Sequence, residues 1–531
     1  MTHTQALLIL WAFCLQLITA FAPVQHERRS ANYTSVRLNN STIYGTISPK
    51  TPDVRSFLSI PYAAPPVGSL RWAPPQPMAL AADVDATSFG LSCPQIFNNR
   101  SSALSTIVYT TVDPEFSLEG GASSPTGEDC LTLSVWAPTT ITTAAAASAS
   151  ANSSLPLLLP VIIWIFGGAF QVGGENVPYQ NPAQWVQRTR SHVVVSFNYR
   201  LNIFGFPVAA GLGTTTQNLG LLDQRAAVEW VRDNIAAFGG DPERMVIWGQ
   251  SAGSLSVESF QYAYPEDPIV KGAVLDSGSV YMQTLDLESS TGSFAFVAEH
   301  FGCGGGLEPE GEVECMRGVP ADAIEDFLDE HLTAGAAPML AFQPVKDEKV
   351  IFSNYTQRTI DGAIADIPVI IGTTSNEGAA FNAFDLSGPN ETAAESFMLD
   401  TVLCPLVQST NDRTAAGYNV YRFWYDGNFT NISPLPWMGA FHCSELPLLF
   451  GTHPNFRGNS TPFEYAVSES MQDLWVEFAR DPSGFTERWP VWNPDTQPML
   501  VFGQGGIPSQ VVNLTIETAS TQAQMISMCA A

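Results

Sequence analysis

Basic side chains are scarce in this chain. Only four lysines occur in 531 residues, and 23 lysines and arginines face 51 aspartates and glutamates, for a formal charge of −28. A surface of that sign repels nucleic acid and anionic bilayers, so neither is an expected partner. Charge of either sign is sparse, at 14% of residues against roughly 25% in an average soluble chain. The 45% of hydrophobic residues is ample for a large core. Metal-ligand spacings are missing as well: neither C-x-x-C nor H-E-x-x-H occurs, so the cysteines read as disulfide formers. No internal repeat is evident.

Past the N-terminus, no stretch is apolar for long enough to span a bilayer. The opening "MTHTQALLILWAFCLQLITAFA" has an apolar run from Ala6 to Ile18, followed by small residues. It reads as a secretory signal cleaved after Ala20 or Ala22, although its first residues include no lysine or arginine. The expected mature chain, residues 23–531, is secreted and has no stable membrane insertion. Eleven N-x-[ST] sequons suit a glycosylated surface: Asn32, Asn39, Asn40, Asn99, Asn152, Asn354, Asn390, Asn428, Asn431, Asn459 and Asn513. Of eight cysteines, Cys14 leaves with the signal, so at least one of the remaining seven is unpaired.

Strand and helix signals alternate through the middle of the chain. "VIIWIF" (Val161 to Phe166) and "HVVVSFNY" (His192 to Tyr199) are near-continuous apolar runs, as in strands buried on both faces. "NLGLLDQRAAVEWVRDNIAAF" places Leu219, Leu222, Ala226, Trp230 and Val231 on one helical face, and Gly239-Gly240-Asp241-Pro242 stops it. "RMVIWG", "VKGAVLDSG" and "IPVIIGTT" add further strands. The low-complexity stretch Ala137 to Pro156 lies between two strand-like runs, so it reads as a loop joining sheet neighbours, not a domain linker. The expectation is a single α/β domain with a large, mostly parallel central sheet and helices on both faces.

The chemistry centres on "RMVIWGQSAGSLSVESF". Ser251 lies in a G-x-S-x-G pentapeptide between a strand and a helix, where a strained turn lifts a serine hydroxyl above the sheet edge. A serine needs a base, an acid that orients it, and donors for an oxyanion. In this arrangement the chain order is serine, acid, histidine. Glu377, just past the "IPVIIGTT" strand, is the best-placed acid. His300 and His331 precede it and drop out; His442 and His453 both remain. Backbone N–H donors for the oxyanion can come from Ala252 and from Gly167, Gly168 and Ala169 in "IFGGAF".

Ordered blocks along the chain resemble the type-B carboxylesterase/lipase family of α/β-hydrolases, which includes cholinesterases and fungal lipases. They are "SIPYAAPPVGSLRWAPPQP", "GEDCLTLSVWAP", "WIFGGAF", "FNYRLNIFGF", "GQSAG", "NEGAAF" and "GAFHCSELPLLFG", spread from about Gly45 to Phe450. The resemblance selects His442 over His453, supports Glu377, and carries the oxyanion donors onto Gly168, Ala169 and Ala252. It implies disulfides Cys93–Cys130 and Cys303–Cys315, suggests Cys404–Cys443 as a third, and leaves Cys529 free. Residues 94–129 correspond to the loop that is a lid in family lipases, and a static rim is the equal alternative.

The implied function is ester hydrolysis through a Ser251–His442–Glu377 triad and an acyl-enzyme, with no metal or organic cofactor. The substrate is a small-molecule or lipid ester, with lipase or sterol esterase and feruloyl-type esterase as alternatives. A non-catalytic adhesion protein is the remote one. Gln250 stands where the family commonly has Glu, which removes a negative charge and implies little preference for choline esters. Oligomeric state is left open.

Overall fold

The computed structural model describes residues 33–95, 125–140, 158–282, 286, 291–455, 457–485 and 488–529. The signal segment, most of the 94–129 loop, and sequons Asn32, Asn99 and Asn152 lie outside them.

One mixed sheet organises the molecule. Its strands are β1 (Tyr33–Leu38), β2 (Ser41–Thr46), β3 (Val54–Pro61), β4 (Asp83–Asp85), β5 (Thr132–Pro138), β6 (Leu159–Ile165), β7 (Val193–Phe197), β8 (Gly240–Gln250), β9 (Gly272–Asp276), β10 (Val369–Thr374), β11 (Val420–Tyr425), β12 (Pro498–Phe502) and β13 (Ser509–Asn513). They run in the order β1-β2-β3-β5-β7-β6-β8-β9-β10-β11-β12-β13, with β4 beside β2. Pairing is parallel from β7 through β12 and antiparallel along both flanks of that order, while β4 pairs parallel with β2. The apolar runs read from the sequence are these central strands: every residue of β6, β7, β9, β10, β11 and β12 is buried. Helices on both faces supply the cover such strands need. On one face Trp164, Trp185, Trp248, Phe450 and Trp475 pack ring against ring.

Two readings need correction. The low-complexity stretch does join two strands of one sheet, β5 and β6, but they are not neighbours because β7 lies between them. The Leu219–Asn234 helix is present with Leu219 and Val231 buried as expected, but Leu222, Ala226 and Trp230 are only half-buried against the core, and the buried face turns to take in Leu221, Asp223, Gln224, Ala227 and Val228. Apolar periodicity misplaced this face because two polar residues sit at its centre with partners. Asp223 takes Arg200 Nε and Nη2 at 2.7 Å each, and Gln224 bonds Ser256 Oγ at 3.0 Å. A buried charge persists when it is paired and hydrogen-bonded in this way.

The third disulfide also differs. Cys93–Cys130 and Cys303–Cys315 form as the resemblance implies, but Cys404 bonds Cys529, and among the described residues Cys443 is the free, buried thiol. The C-terminal segment, expected to end in an unpaired cysteine, instead forms a helix, Thr521–Met528. Ala523, Met525, Ile526 and Cys529 of this segment pack on the main core. That packing brings Cys529 to Cys404, with Cα atoms 5.0 Å apart.

Candidate active site

Ser251 lies between the end of β8 and the Ala252–Ala263 helix, with φ 58° and ψ −124°. An L-residue occupies that region only where its surroundings over-determine it. Here the surroundings are backbone. Ser251 N donates to Asp276 O at 2.8 Å, and Leu255 N donates to Ser251 O at 3.0 Å. The flanking glycines are required by close approach. A Cβ at Gly249 would lie 2.2 Å from Gly253 O, and one at Gly253 would lie 2.1 Å from Ile165 O. Strand, serine and helix can therefore fold back on themselves only with glycine at both positions.

Glu377 opens a 3₁₀ turn, Glu377–Phe381, three residues after β10, and is fully buried. Its Oε1 accepts from Thr373 Oγ1 at 2.7 Å and from Thr374 N at 2.8 Å. Its Oε2 contacts His442 Nδ1. The acid and histidine loops are stitched together by their backbones. Asn376 N bonds Ala440 O at 2.9 Å, and Asn376 Nδ2 reaches Trp437 O at 3.0 Å and Met438 O at 2.8 Å. Burial alone would push the Glu377 carboxyl up, but His442 and the hydroxyls of Ser277 and Thr373 outweigh it and hold the carboxyl below its usual range. It is thus a carboxylate facing an imidazole.

At the other ring nitrogen, Gln250 Nε2 lies 3.0 Å from His442 Nε2. The structure thus gathers Glu377, His442 and the Gln250–Ser251 corner in one place. The other three histidines that follow Ser251 are elsewhere. His453 Nδ1 bonds Ser460 Oγ at 2.7 Å, His331 Nε2 meets Pro338 O at 2.8 Å, and His300 stacks on Phe327.

The loop after β6 runs alongside the elbow: a Cβ at Gly167 would lie 3.0 Å from Ser251 Cβ. Gly168 and Ala169 have φ of 110° and 56°. Among the described residues, the N–H groups of Gly168, Ala169 and Ala252 donate to no protein acceptor. Such free N–H groups suit a charge that develops only during reaction.

Three neighbours escaped the sequence reading. Phe381, partly exposed, sets its ring 4.8 Å from His442 and stacks on Phe397 at 4.3 Å. Asp276 and Glu445 are fully buried near Glu377, and burial first, then the neighbouring carboxylates, raises both well above the usual range. Burial thus favours the protonated form of each. Asp276 is held by Trp248 Nε1 and Ser277 Oγ, each at 3.4 Å. Burial likewise pushes the Cys443 thiol up, leaving it a poor nucleophile although it adjoins His442.

The profile of the Carboxylesterase family matches residues 32–403 and 390–507, nearly the whole described chain. The chain belongs to that family. This carboxylesterase is 41% identical over 494 residues to a chlorogenic acid esterase of Aspergillus niger, covering 90% of this chain and 92% of the relative. It is 42% identical over 491 residues to secreted lipase 5 of Gibberella zeae, covering 86% and 88%. Among solved structures it superposes on a PNB esterase with a TM-score of 0.73 at 25% identity, covering 92% of this chain and 99% of the other. It is accordingly a carboxylic ester hydrolase with the α/β-hydrolase fold. No helix among the described residues is long and apolar enough to cross a membrane.

Proposed function

We propose that this carboxylesterase is secreted and hydrolyses uncharged esters through an acyl-enzyme on Ser251. The contact of the Glu377 carboxylate with His442 Nδ1, beside the strained Gln250–Ser251 corner, carries the reading. His442 takes the Ser251 proton as Oγ bonds to the ester carbonyl carbon, and the oxyanion is received by the N–H groups of Gly168, Ala169 and Ala252. His442 then passes the proton to the departing alkoxide. Water attacks the acyl-enzyme by the same route in reverse, releasing the acid and restoring Ser251. Glu377 fixes the tautomer with Nδ1–H and stabilises the imidazolium that forms in each half-reaction.

Gln250 puts a neutral amide beside the reacting centre, so nothing at that position attracts a cationic alcohol. Ferulate-like and short-chain esters, suggested by the chlorogenic acid esterase relative, are the first substrates to try; the lipase relative keeps glycerides as the second. A fluorophosphonate probe is expected to label the wild type, and Ser251→Ala is expected to abolish labelling and lower kcat at least 10³-fold. The wild type should hydrolyse butyrylcholine no faster than a neutral butyrate of equal size. Full labelling of Ser251→Ala would remove the serine from the mechanism, and a marked choline preference would remove the specificity argument.

A further inference from the structure

His442 has two nitrogens, and a neutral imidazole donates from one and accepts at the other. Because Nδ1 faces the Glu377 carboxylate, Nδ1 bears the hydrogen and Nε2 carries the lone pair. Only the NH₂ end of an amide can meet that lone pair, and Gln250 Nε2 does so at 3.0 Å. Gln250 is 3% exposed, and its Oε1 lies 3.0 Å from where a Cβ at Gly167 would be, so the amide fills the space that glycine leaves. The amide is held between the oxyanion loop and the imidazole.

We propose that Gln250 is a positioning residue for His442, acting on Nε2 as Glu377 acts on Nδ1, and that it sets the pH above which the base works. The proposal rests on the triad reading above. A donor at Nε2 stabilises the neutral ring, because protonation there would set N–H against N–H. The same lone pair must receive the Ser251 proton, so the amide has to yield when Oγ approaches. It thus holds the resting ring aimed at the corner where the acyl group arrives. The other groups around His442 do not duplicate this. Glu377 contacts only Nδ1; Asp276, Glu445 and Cys443 are buried near Glu377, where burial raises all three; and Phe381 offers a ring with no proton to exchange. A carboxylate in place of the amide reverses the effect, since an anion at hydrogen-bond distance favours the protonated ring by roughly 1–3 pH units.

The test is the pH profile of kcat/KM for a neutral p-nitrophenyl ester in the wild type, Gln250→Glu and Gln250→Met, between pH 4.5 and 9. The acid limb should move to higher pH by about one unit or more in Gln250→Glu. It should move by a smaller amount in the same direction in Gln250→Met, which removes the donor without adding charge. Superimposable limbs in all three proteins would overturn the proposal. Fluorophosphonate labelling of each variant separates the two readings. If labelling persists in all three and is lost in Ser251→Ala, superimposable limbs overturn the role of Gln250 alone; if Ser251→Ala stays active, the triad reading and this proposal fall together.

Discussion

Glu175 shows how a single side chain can set a pH dependence unrelated to catalysis. It lies just past the oxyanion loop, buried, with Oε1 accepting from Ser59 Oγ and Thr132 Oγ1 at 2.7 Å each and Oε2 without a partner among the described residues. Burial outweighs these hydroxyls and pushes the carboxyl from its ordinary 4.5 up to about 7. Between those values the folded chain holds a proton that the unfolded chain has released, so stability is full below about pH 4.5 and falls as pH rises through 7. The loss amounts to about 3 kcal/mol, taking 1.36 kcal/mol per pH unit. Glu175→Gln keeps the Oε1 acceptor and cannot ionise. Its Tm relative to the wild type should therefore rise by a few degrees between pH 4.5 and pH 8. A Tm difference that stays constant over that range would mean Glu175 is ionised in the fold, or solvated well enough not to matter.

At the scale of elements, the Cys404–Cys529 bridge ties the C-terminal helix to the start of the Cys404–Ala415 helix across 125 residues of sequence. In the chain-entropy model a loop of that length stabilises the fold by about 4–5 kcal/mol. Cys529→Ser should lower Tm and loosen the terminal helix, while kcat for a small ester stays within about twofold because the bridge touches none of the candidate catalytic groups. Peptide mapping should find Cys404 linked to Cys529, with Cys443 alkylated only after unfolding. A Cys404–Cys443 peptide would overturn the assignment. What was legible in the sequence divides at this scale. Buried parallel strands announce themselves as apolar runs, and the glycines around Ser251 mark a turn that admits no Cβ. Those features are local. The Leu219–Asn234 helix face, the partner of Cys404 and the amide of Gln250 on His442 are products of packing between distant segments. No spacing rule encodes Arg200 meeting Asp223, or a terminal helix folding back onto residue 404. Glu377 was readable from its place just past a buried strand, whereas only the recognisable block around His442 separated it from His453. Glu445 sits in the His442 block and Asp276 ends a buried strand, but their roles depend on burial that the sequence does not display.

Across the whole molecule, ionisation at the surface and in the core pushes stability the same way. The formal charge of −28 makes the compact state repel itself increasingly as pH rises. Glu175, Asp276 and Glu445, all raised by burial, likewise cost stability as pH rises above the ordinary carboxylate range. His192 opposes them at the acid end. Burial first, then Arg188 and Arg480, lowers its imidazole to about 3, so its contribution is full above about 6.5 and is lost as pH falls. Between about 4.5 and 6.5 the gain from His192 offsets one of these three carboxyl losses, so the net fall is shallower there; above 6.5 only the losses remain. Tm should therefore be higher at pH 5.5 than at pH 8.5 and fall more steeply above about 6.5. Salt distinguishes the two sources of that fall. Raising ionic strength from 0.01 M to 0.15 M shortens the screening length from about 30 Å to about 8 Å, which weakens repulsion between exposed carboxylates but leaves buried groups almost untouched. Salt should thus raise Tm more at pH 8.5 than at pH 5.5 without flattening the profile. The slope that survives at 0.15 M should shrink in Glu175→Gln. A profile that is flat or rises from pH 5.5 to 8.5 at both salt concentrations would show that neither the surface charge nor the buried carboxyls govern the stability of this fold.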